Sequence, residues 1–389
     1  MLGHRIKQFR LAKGYSLDEL VAATGGIVSK VALSKYERNL IKPSNKILVA
    51  ISKALDVKAI NLATPPAIEV EFIAYRKGSG LSKKEQANVE NFVSSKLEDR
   101  VRIQDLLYSS YKPNLPVKNY KINKMEDVEN ASIDLRTKWK VGLDPIGNLT
   151  ELLENNFVHV MSVQSSKSFD GISALAYTNN SHLKAAVVVS KENIPGDRQR
   201  LNLAHELGHI VLNIASTIDE EKAAFRFGGA FLAPAETVLK IVGSRREHFQ
   251  LQELIIFKKI LGISIQALLY RLKDLDIISK SSFSSWYQII NKNNWKKNEP
   301  MHINEEKSHW FEKNVLHAFS EGLISSEEAT RLLGNDIDTQ ELSLIKKKEF
   351  LKLSKSDREK ILSEQADAFI QFYDNNKEWK EFGGDIVEY

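Results

Sequence analysis

The sequence predicts a mainly α-helical protein with an α+β domain in its middle. Three observations support this fold class. Short amphipathic helices with clear caps fill residues 1–62. Apolar strands between residues 157 and 190 lead into a helix that carries two histidines. Helical spacing of apolar residues then returns after residue 299, which predicts a helical C-terminal region.

Composition limits the classes of protein to consider. A chain of 389 residues has room for two or three domains, and 42% apolar with 27% charged residues is ordinary for a globular protein. There are no cysteines, so any metal must be held by His, Asp or Glu. The N-terminus has no apolar signal region, and the most apolar later stretch is interrupted by two lysines. We therefore expect a cytoplasmic protein without a membrane partner.

The positive charge is concentrated at the N-terminus. Residues 1–62 carry 11 Lys and Arg against four acidic residues, a net charge of +7, whereas the rest of the chain carries −2. A small basic domain joined to a nearly neutral body is typical of a protein that binds double-stranded DNA. A merely solvated basic surface is the alternative.

The same segment contains local signals for helix starts. Ser16 and Glu19 form a capping box, and Ser29 is placed to cap a helix whose Leu33 and Tyr36 would face inward. The runs "SLDELV", "LSKYERN" and "LVAISKALDV" resemble the helix-turn-helix of the Xre/phage-repressor family. In that family the third helix enters the major groove.

The resemblance implies roles for individual residues. Arg10 and Glu37 occupy the positions where the family forms a structural ion pair. The DNA-binding residues that it implies are Ser29, Lys30, Val31, Ser34, Lys35, Arg38 and Lys42. The turn before the third helix is two residues longer than usual, with Gly25 and Gly26 absorbing the insertion. A helical interaction domain that does not bind DNA is the alternative.

The middle of the chain predicts strands as well as helices. A strand at 67–76 and a helix at 82–108, which begins at a Ser82–Glu85 capping box, follow the basic domain. Two further helices precede the strands "FVHVMSV", "SALAYT" and "LKAAVVVS", with a turn at Asp170-Gly171. We therefore predict a domain at 1–62, a linker strand and helix at 63–110, a domain at 111–298 and a helical region at 299–389.

The segment "RLNLAHELGHIVLN" predicts a metal site. On a helix, His205 and His209 lie four residues apart and project from one face, so both imidazoles can bind one ion. Glu206 lies beside that ion, where it could act as a general base. Gly208 is expected to keep the turn thin beside the ion. The alternative is an ordinary core helix, since Leu203, Leu207 and Ile210 are core residues in either case.

This motif and the later segment "EEKAAFRFGGAFLAP" resemble the ImmA/IrrE family of metallopeptidases, which implies a zincin-like middle domain. The resemblance implies Glu221 as the third ligand, with Glu220 as the alternative one residue away. It also implies zinc as the cofactor, with manganese as the alternative. The sequence supplies no firm oxyanion stabiliser, although Tyr177, His182 and Arg200 are candidates. Four further histidines are interpreted as structural or solvated: His159, His302, His309 and His317.

Three functional hypotheses follow. The first is a DNA-binding regulator whose zinc endopeptidase domain cleaves or controls a repressor or toxin in a phage, mobile-element or stress circuit. The second is an Xre-type repressor or antitoxin whose peptidase-like domain binds a partner or senses a signal without turnover. The third is a peptidase whose N-terminal domain binds only protein. A homodimer is compatible with each hypothesis.

Overall fold

The computed structural model describes residues 2–74, 82–164, 169, 171–335, 350–360 and 362–363. The predicted tail "FGGDIVEY" and Asp170 of the predicted turn lie outside these residues. The chain divides into two compact units, residues 1–315 and 316–389.

The helices are α1 Leu2–Ala12, α2 Leu17–Ala23, α3 Lys30–Glu37, α4 Asn45–Leu55, α5 Ala59–Ala63, α6 Lys83–Leu107, α7 Asp127–Lys138, α8 Leu149–Asn155, α9 Gly196–Val211, α10 Glu220–Leu232, α11 Ala235–Val242, α12 Leu251–Leu261, α13 Ile265–Asp274, α14 Lys280–Lys292, α15 Trp310–Ser320 and α16 Ser326–Leu333. The strands are β1 Glu69–Ala74, β2 Tyr120–Ile122, β3 Val158–Val163, β4 Gly171–Tyr177, β5 Leu183–Lys191 and β6 Leu212–Ile214. The predicted fold class is confirmed.

The first five helices surround a small core of their own, in which Ile6, Leu20, Leu33 and Ile51 are completely buried. The predicted caps are present. Ser16 forms the capping box with Glu19, and the Ser29 hydroxyl accepts a hydrogen bond from the backbone N–H of Ala32. Local sequence therefore determines where α2 and α3 begin.

A four-stranded mixed sheet forms the centre of the middle region. Its strand order is β1-β4-β5-β3, with β3 and β5 parallel and the other neighbours antiparallel. Alternate residues of β5 belong to different cores, Val187 to one face and Val188 to the other. Both faces are covered, which explains why the middle of this strand, residues 185–189, is continuously apolar rather than alternating.

Residues 63–110, interpreted from the sequence as a linker, contribute β1 and α6 to this layer. Val93, Leu97 and Val101 of α6 pack against one face of the sheet. Helix α6 also contacts α1. There the Arg5 guanidinium forms a bidentate ion pair with Glu98 of α6, at 2.8 and 3.0 Å. Because Arg5 is only 4% exposed, this pair is a buried connection between the N-terminal helices and the sheet layer.

Helix α9 packs on the other face of the sheet, and α10 lies against α9. The inner side of α9 contributes Leu203, Leu207 and Ile210 to the core, as the periodicity predicts. The second helix, α10, crosses α9 at Gly208. A Cβ at Gly208 would lie 3.1 Å from the Phe227 ring and 3.3 Å from Ala224 Cα. The expectation that Gly208 makes room beside an ion is therefore wrong, because this glycine makes room for α10.

Residues 299–309, which we call the strap, have no regular secondary structure. The Glu299 carboxylate accepts hydrogen bonds from the first backbone N–H groups of α13, and the Glu306 carboxylate accepts them from Leu149 and Thr150 at the start of α8. Between them, the Ile303 carbonyl accepts from the Gly196 N–H at the start of α9. The strap therefore satisfies unpaired backbone donors of three helices, which no local sequence signal predicts.

The C-terminal unit begins within α15, and its described part contains α16, which Ser325 caps as predicted. Residues 336–349, 361 and 364–389 of the predicted helical region lie outside the described residues. Throughout the part of the chain that the structure describes, no helix combines the length and apolarity needed to cross a membrane.

Candidate metal centre and nucleic-acid interface

The side chains of His205, His209 and Glu221 converge on one point. The two Nε2 atoms lie 3.1 Å apart, and each lies 3.5 Å from a carboxylate oxygen of Glu221. One nitrogen or oxygen atom from each residue falls within 4.8 Å of the others, the arrangement of a group that could hold a metal ion. Two histidines and a glutamate form the donor set that zinc has in catalytic sites with an open fourth position.

Both imidazoles are buried, each with 3% of its side chain exposed, whereas the Glu221 side chain is 46% exposed. Burial, reinforced by the neighbouring His205, lowers the pKa of His209 to about 4. The ring is therefore neutral near pH 7, as a metal ligand must be. The carboxylate forms the more open side of the cluster.

The neighbouring acid, Glu220, contacts the other ring nitrogen of His209. Its Oε1 lies 3.4 Å from His209 Nδ1, the ring nitrogen that faces away from the cluster, and 3.8 Å from Lys118 Nζ. A carboxylate at Nδ1 holds the proton there and leaves the Nε2 lone pair for a metal. From the sequence, Glu220 is predicted only as an alternative ligand, and its contact with Nδ1 is not predicted. Its position beside Glu221 in the first turn of α10 is the only signal that could have suggested it.

Glu206 packs against Gly171, where β4 begins. The residue is 4% exposed, and a Cβ at Gly171 would come within 2.6 Å of its Oε1 atom. Only glycine permits this approach of the carboxylate to the strand. A buried carboxylate next to the cluster, on the same helix as both histidines, is suited to accept a proton.

One aromatic contact at the cluster also escaped the sequence analysis. The Phe225 ring lies with its centroid 4.0 Å from that of His205, and Phe225 is 38% exposed. It is one helical turn after Glu221, so it was predictable in principle as a neighbour of the third ligand.

Arg200 is not an available oxyanion stabiliser. Its guanidinium is 4% exposed, forms an ion pair with Glu306 of the strap and donates to the Ile146 carbonyl at 2.7 Å. Tyr177 ends β4 and His182 precedes β5, on either side of the turn that joins the two strands. Of the remaining histidines, His159 is completely buried beside Gln104 and Trp310, and the His309 side chain is 74% exposed.

The residues implied for DNA binding surround the exposed side of α3. Val31 is 65% exposed, and Lys35, Arg38 and Lys42 are exposed as well. Ser29 is an exposed cap, and Ser34 is half-buried. Lys30 is exposed but forms an ion pair with Asp18 of α2, with Nζ and Oδ2 2.7 Å apart.

The predicted pair of Arg10 and Glu37 is confirmed. The guanidinium donates to both carboxylate oxygens, at 2.6 and 2.8 Å, and both side chains are buried. Gly25 and Gly26, in the lengthened turn between α2 and α3, both have positive φ, at 69° and 74°. Glycine adopts these angles without strain, so the turn can be longer without disturbing α3.

Comparisons with known proteins give two family matches in separate segments of the chain. A helix-turn-helix family model matches residues 6–60, and the model of the IrrE N-terminal-like domain matches residues 165–273. The chain combines a helix-turn-helix domain with an IrrE N-terminal-like domain. The IrrE-like match contains His205, Glu206, His209 and Glu221 together with β4 and β5. The helix-turn-helix match contains the whole of α2, α3 and α4.

Curated relatives resemble only part of the chain. The HTH-type transcriptional regulator SinR of Bacillus subtilis (strain 168) is 49% identical over 63 residues, which is 16% of this chain and 55% of SinR. SinR of Bacillus licheniformis gives the same values. The HTH-type transcriptional regulator SlrR of Bacillus subtilis (strain 168) is 32% identical over 99 residues, which is 25% of this chain and 60% of SlrR. The chain thus spans about half the length of the curated relatives it matches.

Proposed function

We propose that this protein is a DNA-binding transcriptional regulator whose IrrE-like domain is a zinc-dependent endopeptidase that cleaves or controls a regulatory protein. The observation that carries the proposal is the convergence of His205, His209 and Glu221 within 4.8 Å, with Glu206 on the same helix as the two histidines. Together with the helix-turn-helix match at residues 6–60, this cluster supports two activities in one chain.

The donor set fits a metal ion. Two buried imidazoles, one with Nδ1 held by Glu220, and one partly exposed carboxylate would hold it. When bound, zinc supplies the Lewis acidity that makes water acidic enough to lose a proton near neutral pH. Manganese is the alternative ion for the same donors.

Glu206 performs the proton transfers in this proposal. Its carboxylate accepts a proton from the attacking water and then gives that proton to the nitrogen of the leaving amine, so the peptide bond breaks without a free proton being released. Packing against Gly171 restricts the movement of the carboxylate between these two steps. Since Arg200 is held by Glu306, stabilisation of the developing oxyanion is left to other groups.

The test uses the purified, zinc-loaded full chain and the purified proteins encoded next to its gene as candidate substrates. Cleavage is followed by electrophoresis and mass spectrometry, and zinc is measured in the same samples. Glu206→Gln should keep zinc and lose cleavage, whereas Glu236→Gln, at an exposed position in α11, should keep both. Equal cleavage by the Glu206→Gln variant would exclude its role as the base.

The second hypothesis from the sequence, a module that binds or senses without turnover, is distinguished by the same experiment. It predicts a stable complex with a neighbouring gene product and no cleavage by the zinc-loaded wild type. DNA binding should be the same in wild type and Glu206→Gln under either hypothesis, because the residues implied for DNA lie on α3 and the adjacent loop.

A further inference from the structure

A cavity of about 760 Å³ lies between the two helices that carry the metal-site residues and the later helices of the same unit. Residues of α9 and α10 form one wall, and residues of α13 with the segment at 295–302 form the other. The volume is within the range of ligand sites, which is roughly 300–1,000 Å³. Neither the family matches nor the proposed proton transfers assign a role to it.

The cavity adjoins the metal cluster. Leu201 lines it and lies one helical turn before His205, and Phe225 lines it one turn after Glu221. Residues at this spacing share a helix face. The Phe225 ring also packs on the His205 imidazole, so it forms a wall of both sites. A chain held near the cluster could therefore continue into the cavity.

Two cations of the cavity wall form close, buried ion pairs within the protein. Lys258 is completely buried, with Nζ 2.9 Å from Asp197 Oδ2 and 2.9 Å from Glu299 Oε2. The Arg271 guanidinium forms a bidentate pair with Glu129. These groups hold α9, α12, α13 and α7 together, and they are not available to a ligand.

The rest of the wall remains cationic. Among the lining residues that the structure describes, Asp274 is the only further carboxylate. Against it stand Arg198, Lys273 and Lys297, since Lys222 lies 3.3 Å from Asp219 and Arg226 lies 3.6 Å from Glu129. Arg198 donates to the carbonyl of Lys296, the residue before Lys297, and both Arg198 and Lys297 are exposed. A site with this excess of positive charge favours an anionic ligand.

The cavity also has an apolar surface. Leu201, Phe225, Ala267, Tyr270 and Trp295 line it, and three of these side chains are aromatic. Aromatic walls with a few charged groups are typical of sites that take an apolar body and orient it through polar contacts. The required ligand therefore combines an apolar or aromatic group with negative charge.

We propose that this cavity is a substrate-specificity site that binds a peptide segment with acidic residues next to an aromatic or apolar one. This inference rests on the proposed endopeptidase function, because continuity with the metal cluster favours a peptide chain over a separate small molecule. The aromatic side chain of the substrate packs among Phe225, Tyr270 and Trp295. The acidic residues next to it in the substrate contact the exposed cations of the wall, including Arg198 and Lys297.

The test measures binding rather than cleavage. The full chain carrying Glu206→Gln, loaded with zinc, is titrated into fluorescein-labelled peptides that differ only beside a central phenylalanine, where they carry glutamate, glutamine or lysine. Fluorescence anisotropy gives Kd for each. The glutamate peptide should bind about tenfold more tightly than the glutamine peptide, the effect of one charge-assisted hydrogen bond, and the lysine peptide more weakly than either.

Variants of the wall should change this preference. Arg198→Glu and Lys297→Glu, both at exposed positions, should remove or reverse the preference for glutamate over glutamine. Lys240→Glu, at an exposed position in α11 outside the cavity, should leave it unchanged. Equal Kd values for the glutamate and glutamine peptides, no measurable binding of the glutamate peptide, or an equal effect of Lys240→Glu would overturn the proposal.

Two outcomes separate this inference from the function on which it rests. Cleavage of a natural partner without any acidic preference would overturn the inference alone. Acidic preference without cleavage of any partner by the wild type would count against the endopeptidase alone. Binding of 3-phenylpropionate without binding of the peptides would assign the cavity to a small organic anion and overturn the proposal.

Discussion

The Nε2 atoms of His205 and His209 lie 3.1 Å apart at the end of two buried imidazoles. The i, i+4 spacing on α9 brings the two rings to one face, and burial keeps His209 neutral near pH 7. Two nitrogens at this separation both face the Glu221 carboxylate, so a single cation between the three side chains would satisfy all of them at once. This relationship leads to the first prediction.

His205→Ala should abolish stable metal binding. The purified wild type should carry about one zinc or manganese ion per chain, because three protein ligands are the usual set of a catalytic site. Elemental analysis after gel filtration measures the metal. His309→Ala is the matched control, since the His309 side chain is 74% exposed. Undiminished metal in the His205→Ala protein would refute the assignment of the cluster.

The exposed side of α3 should bind DNA mainly through phosphate contacts. Lys35→Ala and Arg38→Ala should each weaken binding, and each should reduce the slope of log K against log salt concentration by about one. Lys240→Ala removes the same charge from α11 and should change neither quantity. A salt-independent affinity, or an unchanged slope in both α3 variants, would contradict a nucleic-acid interface on this helix.

The buried pair of Arg10 and Glu37 should be essential to the stability of the N-terminal helices. Arg10→Met leaves the Glu37 carboxylate buried without its cation, so we expect a loss of about 3–5 kcal/mol in the free energy of unfolding. Urea denaturation followed by circular dichroism measures it. Lys13→Met breaks only an exposed contact with Asp56, at 3.8 Å, and should cost less than about 1 kcal/mol. Similar losses in the free energy of unfolding for the two variants would show that burial of the Arg10–Glu37 pair does not make it more important for stability.

The strap should stabilise α9 through Glu306. Glu306→Ala leaves the Arg200 guanidinium buried without its carboxylate and two backbone N–H groups of α8 without an acceptor. The expected loss is about 3–5 kcal/mol, together with weaker metal retention because Arg200 is on the metal-site helix. Glu312→Ala, whose side chain is 65% exposed, is the control. A Glu306→Ala protein as stable as this control would show that the Glu306 contacts of the strap do not stabilise α9.

His159 should make the middle domain sensitive to acid. Complete burial, with a smaller effect of nearby Arg100, lowers the pKa of this imidazole well below 6.5. The unfolded chain therefore binds a proton that the folded chain excludes, so stability falls as the pH decreases below 6.5, by at most about 1.4 kcal/mol per pH unit for one proton. His159→Gln should flatten this dependence in metal-free protein, whereas His309→Gln should not. An unchanged slope in His159→Gln would contradict the prediction.

Local signals in the sequence were sufficient for much of the fold. The capping boxes at Ser16 and Ser82 and the cap at Ser29 are contacts within one turn of helix, so residues close in sequence are enough to predict them. The strands were predictable because β-branched and apolar runs fit a sheet that is buried on both faces. The close approach of α10 to Gly208 was not predictable from local sequence, because it depends on how a second helix packs on α9.

The sequence by itself determined that His205 and His209 share a face, because the helical repeat places residues four apart together regardless of their surroundings. Only the tertiary structure decided which acid faces the Nε2 atoms, because the packing of α10 on α9 places Glu221 beside Nε2 of His209 and Glu220 beside its Nδ1. The ion-pair partners of Arg200 and Lys258, and the grouping of cations around the cavity, were also decided only by the tertiary structure. Their partners come from distant parts of the chain, and a long-range contact leaves no periodic signal in either segment.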